Sequence, residues 1–242
     1  MMVGAALLAG GLGRRLGGKP GGAPPKQFMP ILGRPMLLWA LDALLASGVA
    51  DSAVLVVPEG FIREGRRLLE EAGLSVPVIA GGDSRQASSL AALRHFGEEI
   101  DIFLTHDAAR PFVTPGLFQA VAAAAAEHGA AIAARPASDT VKLAGSGGFV
   151  EKTLPRERLW TVQTPQAFEA KLIRRGHERA LADGFETTDD AALVERLGAM
   201  VALVEGTPEN IKVTTLEDFA VAEALAPKVL ERRGMRHDGG RG

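Results

Sequence analysis

Two hydrophobic periods alternate along the first two thirds of the chain. Short, nearly continuous apolar runs at Val3–Ala9, Ala53–Val57, Val76–Ala80, Ile102–Thr105 and Ala130–Ala134 predict strands buried on both faces. Between them, apolar positions recur at helical spacing over Met36–Leu45, Phe61–Ala72, Ser84–Phe96 and Pro115–His128. Glycines at Gly48 and Gly73 mark the ends of the first two helices. Repeated β-α-β units of this length predict a Rossmann-like α/β fold. Its sheet is doubly wound and mostly parallel, with helices on both faces and right-handed crossovers. Ligands on such sheets sit beyond the carboxyl ends of the strands.

The pattern changes after Arg135. Thr140–Leu143, a glycine-rich tip at 145–148 and Phe149–Leu154 predict a projecting β-hairpin arm, spanning about 137–157. A second subunit covering its open edges and a free surface arm are both open readings. Further on, helices are predicted at Ala170–Ala182, Asp189–Leu197 and from Leu216 to about Leu225. Strands are predicted at Met200–Val204 and Ile211–Val213. With no internal repeat or linker, residues 1–228 are expected to form one domain. Residues 229–242, polar and glycine-rich, are expected to be a disordered tail.

Composition narrows the function classes. The 242 residues are 47% hydrophobic and 23% charged, as in ordinary globular proteins. A formal net charge of −2 offers no overall basic field for a nucleic acid polymer, so any anion site must come from a local basic cluster. The absence of cysteine excludes disulfides, thiolate metal sites and cysteine nucleophiles, and fits a cytoplasmic protein. The apolar start lacks a basic flank and is too short for a signal peptide. No stretch reaches the ~20 apolar residues of a membrane span.

Candidate chemistry begins where the first strand ends. Gly10-Gly11-Leu12-Gly13-Arg14-Arg15-Leu16-Gly17-Gly18-Lys19 lets main-chain N–H groups close on phosphate oxygens, with arginine forks beside them. Pro24-Pro25-Lys26-Gln27 returns the chain with a lysine. Leu16 stands where a dinucleotide fingerprint needs its third glycine, and the Gly-Lys-Ser/Thr of a Walker loop is absent. A nucleoside triphosphate site for nucleotidyl transfer fits best; a solvated surface loop is the plain alternative.

Other motifs also stand at predicted strand ends. Gly81-Gly82-Asp83-Ser84-Arg85-Gln86-Ala87-Ser88 opens a helix, so helix capping competes with a base or ribose site. In His106-Asp107-Ala108-Ala109-Arg110-Pro111, Asp107 suits a Mg²⁺ ligand or a hydroxyl acceptor, against a turn ion pair with Arg110. His106 is isolated and makes a poor base or ligand. Thr187-Thr188-Asp189-Asp190 reads first as a helix cap. Lys212, placed in the predicted strand Ile211–Val213, is a weak signal alone.

Together these motifs resemble the 2-C-methyl-D-erythritol 4-phosphate cytidylyltransferase family of the non-mevalonate isoprenoid pathway. The resemblance runs from about Val3 to Leu225. It rests on Pro25-Lys26-Gln27-Phe28, Gly81-Gly82-Asp83 with Arg85 and Ser88, and His106 to Pro111. It continues through Asp139-Thr140 with Lys142, Thr164-Pro165-Gln166, Thr188-Asp189 and Val204-Glu205-Gly206 with Asn210-Ile211-Lys212-Val213-Thr214. Departures are Ala9-Gly10-Gly11, where the family usually has Ala-Ala-Gly, the Gly/Pro-rich stretch 17–25, and Leu216 in place of a proline.

The resemblance implies that Arg15, Lys26, Arg156 and Lys212 act catalytically, with Arg15 and Lys26 on the reacting phosphates. Ala9, Gly10, Gly11, Gly13, Gly82, Asp83 and Ser88 would join Arg15, Lys26 and Lys212 around CTP. Asp107, Arg110, Thr140, Arg156, Thr164 and Thr188 would face the methylerythritol phosphate, together with Lys212. Thr140 and Arg156 would do so in the neighbouring subunit of a homodimer. Mg²⁺ would bridge the triphosphate, with Asp107 as its one protein candidate. Other activities remain open: a ribitol-phosphate cytidylyltransferase, a molybdopterin nucleotidyltransferase, or a nucleotide-binding regulatory protein without turnover.

Overall fold

The computed structural model describes residues 1–10 and 25–234. Gly11, Gly13, Arg14, Arg15 and Lys19 therefore lie outside the described residues, as does the expected tail beyond Gly234.

In chain order the elements are β1 (Val3–Leu8), β2 (Pro30–Ile31), β3 (Arg34–Pro35), α1 (Met36–Ser47), β4 (Ser52–Val57), α2 (Ile62–Glu71), β5 (Val78–Ala80), α3 (Arg85–His95), β6 (Ile102–Asp107) and α4 (Pro115–His128). They continue with β7 (Ala130–Pro136), β8 (Lys142–Ala144), β9 (Val150–Thr153), β10 (Trp160–Glu169), α5 (Ala170–Asp183), α6 (Ala191–Glu195), β11 (Ala202–Glu205) and α7 (Leu216–Arg232). Among the described residues the main sheet runs β11-β7-β10-β6-β1-β4-β5. All neighbours pair in parallel except β10, which is antiparallel to both β6 and β7.

Strand β1 shows how the pattern makes the layers. Val3, Ala5 and Leu7 pack into the core under α1 and α4, while Ala6 and Leu8 join the opposite core under α3, α5 and α6. Gly4 is needed for close approach: a Cβ there would lie 2.9 Å from Ile100 Cγ2 and 3.0 Å from Phe96 Cγ. Chain punctuation behaves as expected. Gly48 closes α1 at φ 62°, Thr114 caps α4 through a bond from Leu117 N, and Gly129 closes α4 at φ 83°.

Four expectations are corrected. The long strand β10 is absent from the sequence reading because Gln163, Thr164, Pro165 and Gln166 break any apolar alternation. Its proline is accommodated where the pairing to β7 shifts register between Val162 and Gln166. Residues 211–213 form no strand; they cross the sheet's carboxyl end, tied by Val213 N to Ala109 O at 2.8 Å. The helix expected over Asp189–Leu197 shortens to α6, Ala191–Glu195.

Finally, α7 continues through Pro227 to Arg232, so residues 229–232 are helical and not tail. Buried Ala226 and Val229 pack with Trp39, and Arg233 donates to the carbonyls of Trp39 and Val113, at 3.0 and 3.1 Å. That packing outweighs the loss of one helical N–H at the proline. The hairpin β8–β9 forms as expected, on its own, outside the main sheet.

Candidate active site

Beyond the carboxyl ends of β1, β4, β5 and β6 lies a cleft of about 410 Å³. It brings together Gly10, Lys26, Gly82, Asp83, Ser88, Asp107 and Lys212, with Arg85 among them.

One wall is built around Ser88. Its Oγ accepts a bond from Gly82 N at 3.2 Å and lies 3.3 Å from Gly82 O. A Cβ on Gly10 would approach that hydroxyl to 2.9 Å, and one on Gly81 to 2.6 Å. The three glycines thus leave bare main chain around one buried serine. Ser84 caps α3 by accepting from Ala87 N at 3.0 Å, so the capping reading is correct, and Ser84 also lines the cleft. Ala9 does not: its methyl is buried in the core.

A second part of the lining is cationic and braced. Pro25 leads into a tight turn, Lys26–Phe28, anchored by buried Phe28, whose ring centroid lies 5.7 Å from that of Phe61. Lys26 Nζ donates to Val213 O at 2.7 Å, which brings it beside Lys212 in sequence. Lys212 Nζ donates to Asp107 Oδ2 at 2.6 Å, and Arg85 Nε donates to Asp107 Oδ1 at 3.0 Å. Burial alone would raise the Asp107 carboxyl. The Arg85 guanidinium, then Lys212, override it and hold the group well below the usual carboxylate range.

This arrangement corrects two expectations for Asp107. There is no turn ion pair with Arg110, whose guanidinium donates instead to Asn210 O at 2.8 Å and Val162 O at 3.2 Å. Nor does Asp107 suit Mg²⁺, because each of its oxygens is committed to a cation. No group of three or more acidic or histidine side chains that could hold a metal ion occurs among the described residues.

His106 braces the same turn from below. It is fully buried, and burial pushes its pKa down to about 4. A neutral ring with its proton on Nε2 satisfies every contact. Nε2 donates to Arg110 O at 3.1 Å, and Nδ1 accepts from Thr164 Oγ1 at 3.0 Å. Thr164 Oγ1 in turn accepts from Asp107 N at 3.0 Å. Thr164 is thus spent on holding Asp107 and is buried, instead of facing the cleft. Asn210 carries no role of its own in the sequence motif, yet its buried amide donates to Gln163 Oε1 and Thr164 O at 3.0 and 2.9 Å. These bonds seat the 206–213 segment, and with it Lys212.

Three expected residues stand apart. Thr188 is exposed on the turn before α6, where Asp189 Oδ1 accepts from Ala192 N at 3.1 Å in the expected capping role. Thr140 and Arg156 flank the hairpin, away from the cleft lining, and Arg156 Nη1 donates only to Ser138 O in its own chain, at 3.2 Å.

A family model for 2-C-methyl-D-erythritol 4-phosphate cytidylyltransferase matches residues 3–228. The chain belongs to that family. It is 42% identical over 226 residues to the 2-C-methyl-D-erythritol 4-phosphate cytidylyltransferase of Pelotomaculum thermopropionicum, covering 92% of this chain and 93% of the relative. The crystal structure of the Thermus thermophilus cytidylyltransferase has a TM-score of 0.76 and 36% identity, covering 93% of this chain and 99% of that one. The 4-diphosphocytidyl-2C-methyl-D-erythritol synthase of Anaerococcus prevotii has a TM-score of 0.81 and 30% identity, covering 93% and 98%.

Proposed function

We propose that this chain transfers the cytidylyl group of CTP to 2-C-methyl-D-erythritol 4-phosphate. The products are 4-diphosphocytidyl-2-C-methyl-D-erythritol, an isoprenoid precursor, and pyrophosphate. One observation carries the reading: a glycine-walled cleft with Lys26 and Lys212 facing it, on a chain matched to the family over residues 3–228.

Charge decides the mechanism. CTP carries about −4 and the acceptor phosphate about −2 near neutral pH, and a cleft screens their repulsion less than water does. An already ionised phosphate oxygen needs no general base, and His106 is not poised as one, since it is held neutral with both ring nitrogens occupied. That oxygen attacks the α-phosphorus in line. A new P–O bond forms as the bond to the α,β-bridging oxygen breaks, and pyrophosphate leaves with the electron pair. Lys26 and Lys212, with Arg15 expected beside them, offset the charge that develops. Gly10, Gly82, Asp83 and Ser88 take the nucleotide, while Asp107 orients Lys212. We assign Mg²⁺ to the triphosphate oxygens, arriving as part of the substrate and not bound by Asp107.

Thr140 and Arg156 we assign to the neighbouring subunit's cleft, in a homodimer clasped by the arm. Phe149 and Val150 on that arm are 78% and 63% exposed, apolar surface that a second subunit clasped by the arm would cover. No helix among the described residues is long and apolar enough to cross a membrane. A cytoplasmic location matches the water-soluble substrates.

The test is pyrophosphate release from CTP, GTP and UTP with methylerythritol phosphate and ribitol phosphate. The expected result is release with CTP and methylerythritol phosphate alone. Faster turnover of another pair, or tight CTP binding without release, would overturn the assignment.

A further inference from the structure

Arg85 reaches past Asp107 to a second carboxylate, that of Asp190, which does not line the cleft. Its Nη1 lies 2.9 Å from Asp190 Oδ2. Asp190 is wholly buried, whereas Lys212, at the other end of the chain of contacts, is 43% exposed. The four side chains alternate in charge from core to cleft: Asp190, Arg85, Asp107, Lys212. Asp190 is itself fixed to two strands. Thr105 Oγ1 on β6 donates to its Oδ2 at 2.9 Å, and its main-chain N donates to Gln166 Oε1 on β10 at 3.1 Å.

Positional certainty therefore runs outward from the sheet. A lysine on a flexible stem is placed by Asp107, Asp107 by Arg85, and Arg85 by Asp190. Buried ion pairs add little net stability, so the worth of this one lies in position. Shared between two carboxylates, Arg85 leaves one oxygen of Asp107 to Lys212. Without Asp190, its fork is free to take both oxygens of Asp107 and displace the lysine.

We propose that Asp190 is a positioning residue for cytidylyl transfer, acting through Arg85 and Asp107 to hold Lys212 in the cleft. The inference rests on the proposed role of Lys212 at the reacting phosphates. A misplacement of about 1 Å at such a site lowers turnover by up to about 10²-fold. Asp190→Asn keeps the shape and removes the charge, so kcat should fall by at least about tenfold. CTP affinity, measured by calorimetry, should change much less, because the nucleotide wall of Gly82 and Ser88 is untouched.

The deciding experiment is a double-mutant cycle on kcat with Arg85→Gln. If Asp190 acts through Arg85, Asp190→Asn removes nothing further once Arg85 is gone, and the double variant matches Arg85→Gln. Equal losses from Asp190→Asn in both backgrounds would assign it a merely structural role and overturn the proposal, as would a kcat within twofold of wild type. Should Arg85→Gln fail to fold, Arg85→Lys replaces it, since an ammonium cannot span both carboxylates. Lys212→Ala separates the two layers. Full turnover in that variant overturns the role of Lys212 and the strut with it; impaired Lys212→Ala beside normal Asp190→Asn overturns the strut alone.

Discussion

His106 should give the protein a measurable acid lability. Its ordinary pKa is 6.5, and burial lowers it to about 4 in the fold. The unfolded chain therefore binds a proton that the folded chain refuses as pH falls between these values. The sign follows from linkage: where the unfolded state holds more protons, stability rises with pH. The contribution of a neutral His106 is complete above 6.5 and is lost as pH drops toward 4. At 1.36 kcal/mol per pH unit, the loss between pH 7.5 and 4.5 is about 2.5 kcal/mol. Asp107 works in a different window, since its depressed pKa keeps its stabilisation until well below the ordinary carboxylate range. The assay is urea unfolding of wild type and His106→Gln across pH 4.5–7.5. Glutamine cannot titrate, so the gap between the two proteins should narrow by about 2.5 kcal/mol on acidification. A gap that stays constant, within about 0.5 kcal/mol, would refute a neutral, proton-refusing His106.

Three further outcomes are expected. Lys26→Ala should lower kcat by about 10²-fold or more, as for loss of an electrostatic stabiliser, and steady-state pyrophosphate release reads it directly. Gly206→Ala would place a Cβ 2.2 Å from Gln163 Oε1, which accepts from Asn210. Displacing that amide should destabilise the fold by about 1–3 kcal/mol and weaken turnover through Lys212, seen in chemical denaturation beside kinetics. Mixing the inactive variants Arg156→Ala and Lys26→Ala should restore activity in mixed dimers; no recovery despite measured subunit exchange would remove Arg156 from the neighbour's site.

Much of the architecture was legible because burial writes a local signal. Strands β1, β4, β5, β6 and β7 are apolar runs, and the helices between them are periodic or capped by Ser84, Thr114 and their closing glycines. β10 left no such signal, since it buries Gln163, Thr164 and Gln166 and uses their polarity to hold the turn below Asp107 and the 190 region. The same holds for the cleft. Glycine pairs and lysines after strands pointed to phosphate, but the pairing of Asp107 with Arg85 and Lys212 spans 22 and 105 residues and is settled only by the fold. The rival turn pair with Arg110 was equally good as a sequence; it loses because Arg110 is drawn to carbonyls of β10 and the 210 segment.

Formation of a bond between the acceptor phosphate and the α-phosphorus of CTP is tested most directly by phosphorus NMR of the reaction mixture. With CTP, Mg²⁺ and 2-C-methyl-D-erythritol 4-phosphate, the spectrum should gain the coupled pair of a new diphosphate diester together with one equivalent of pyrophosphate. The acceptor's monophosphate signal should fall in step. Pyrophosphate appearing with CMP and an unchanged acceptor signal, or no change at all at high enzyme concentration, would contradict it.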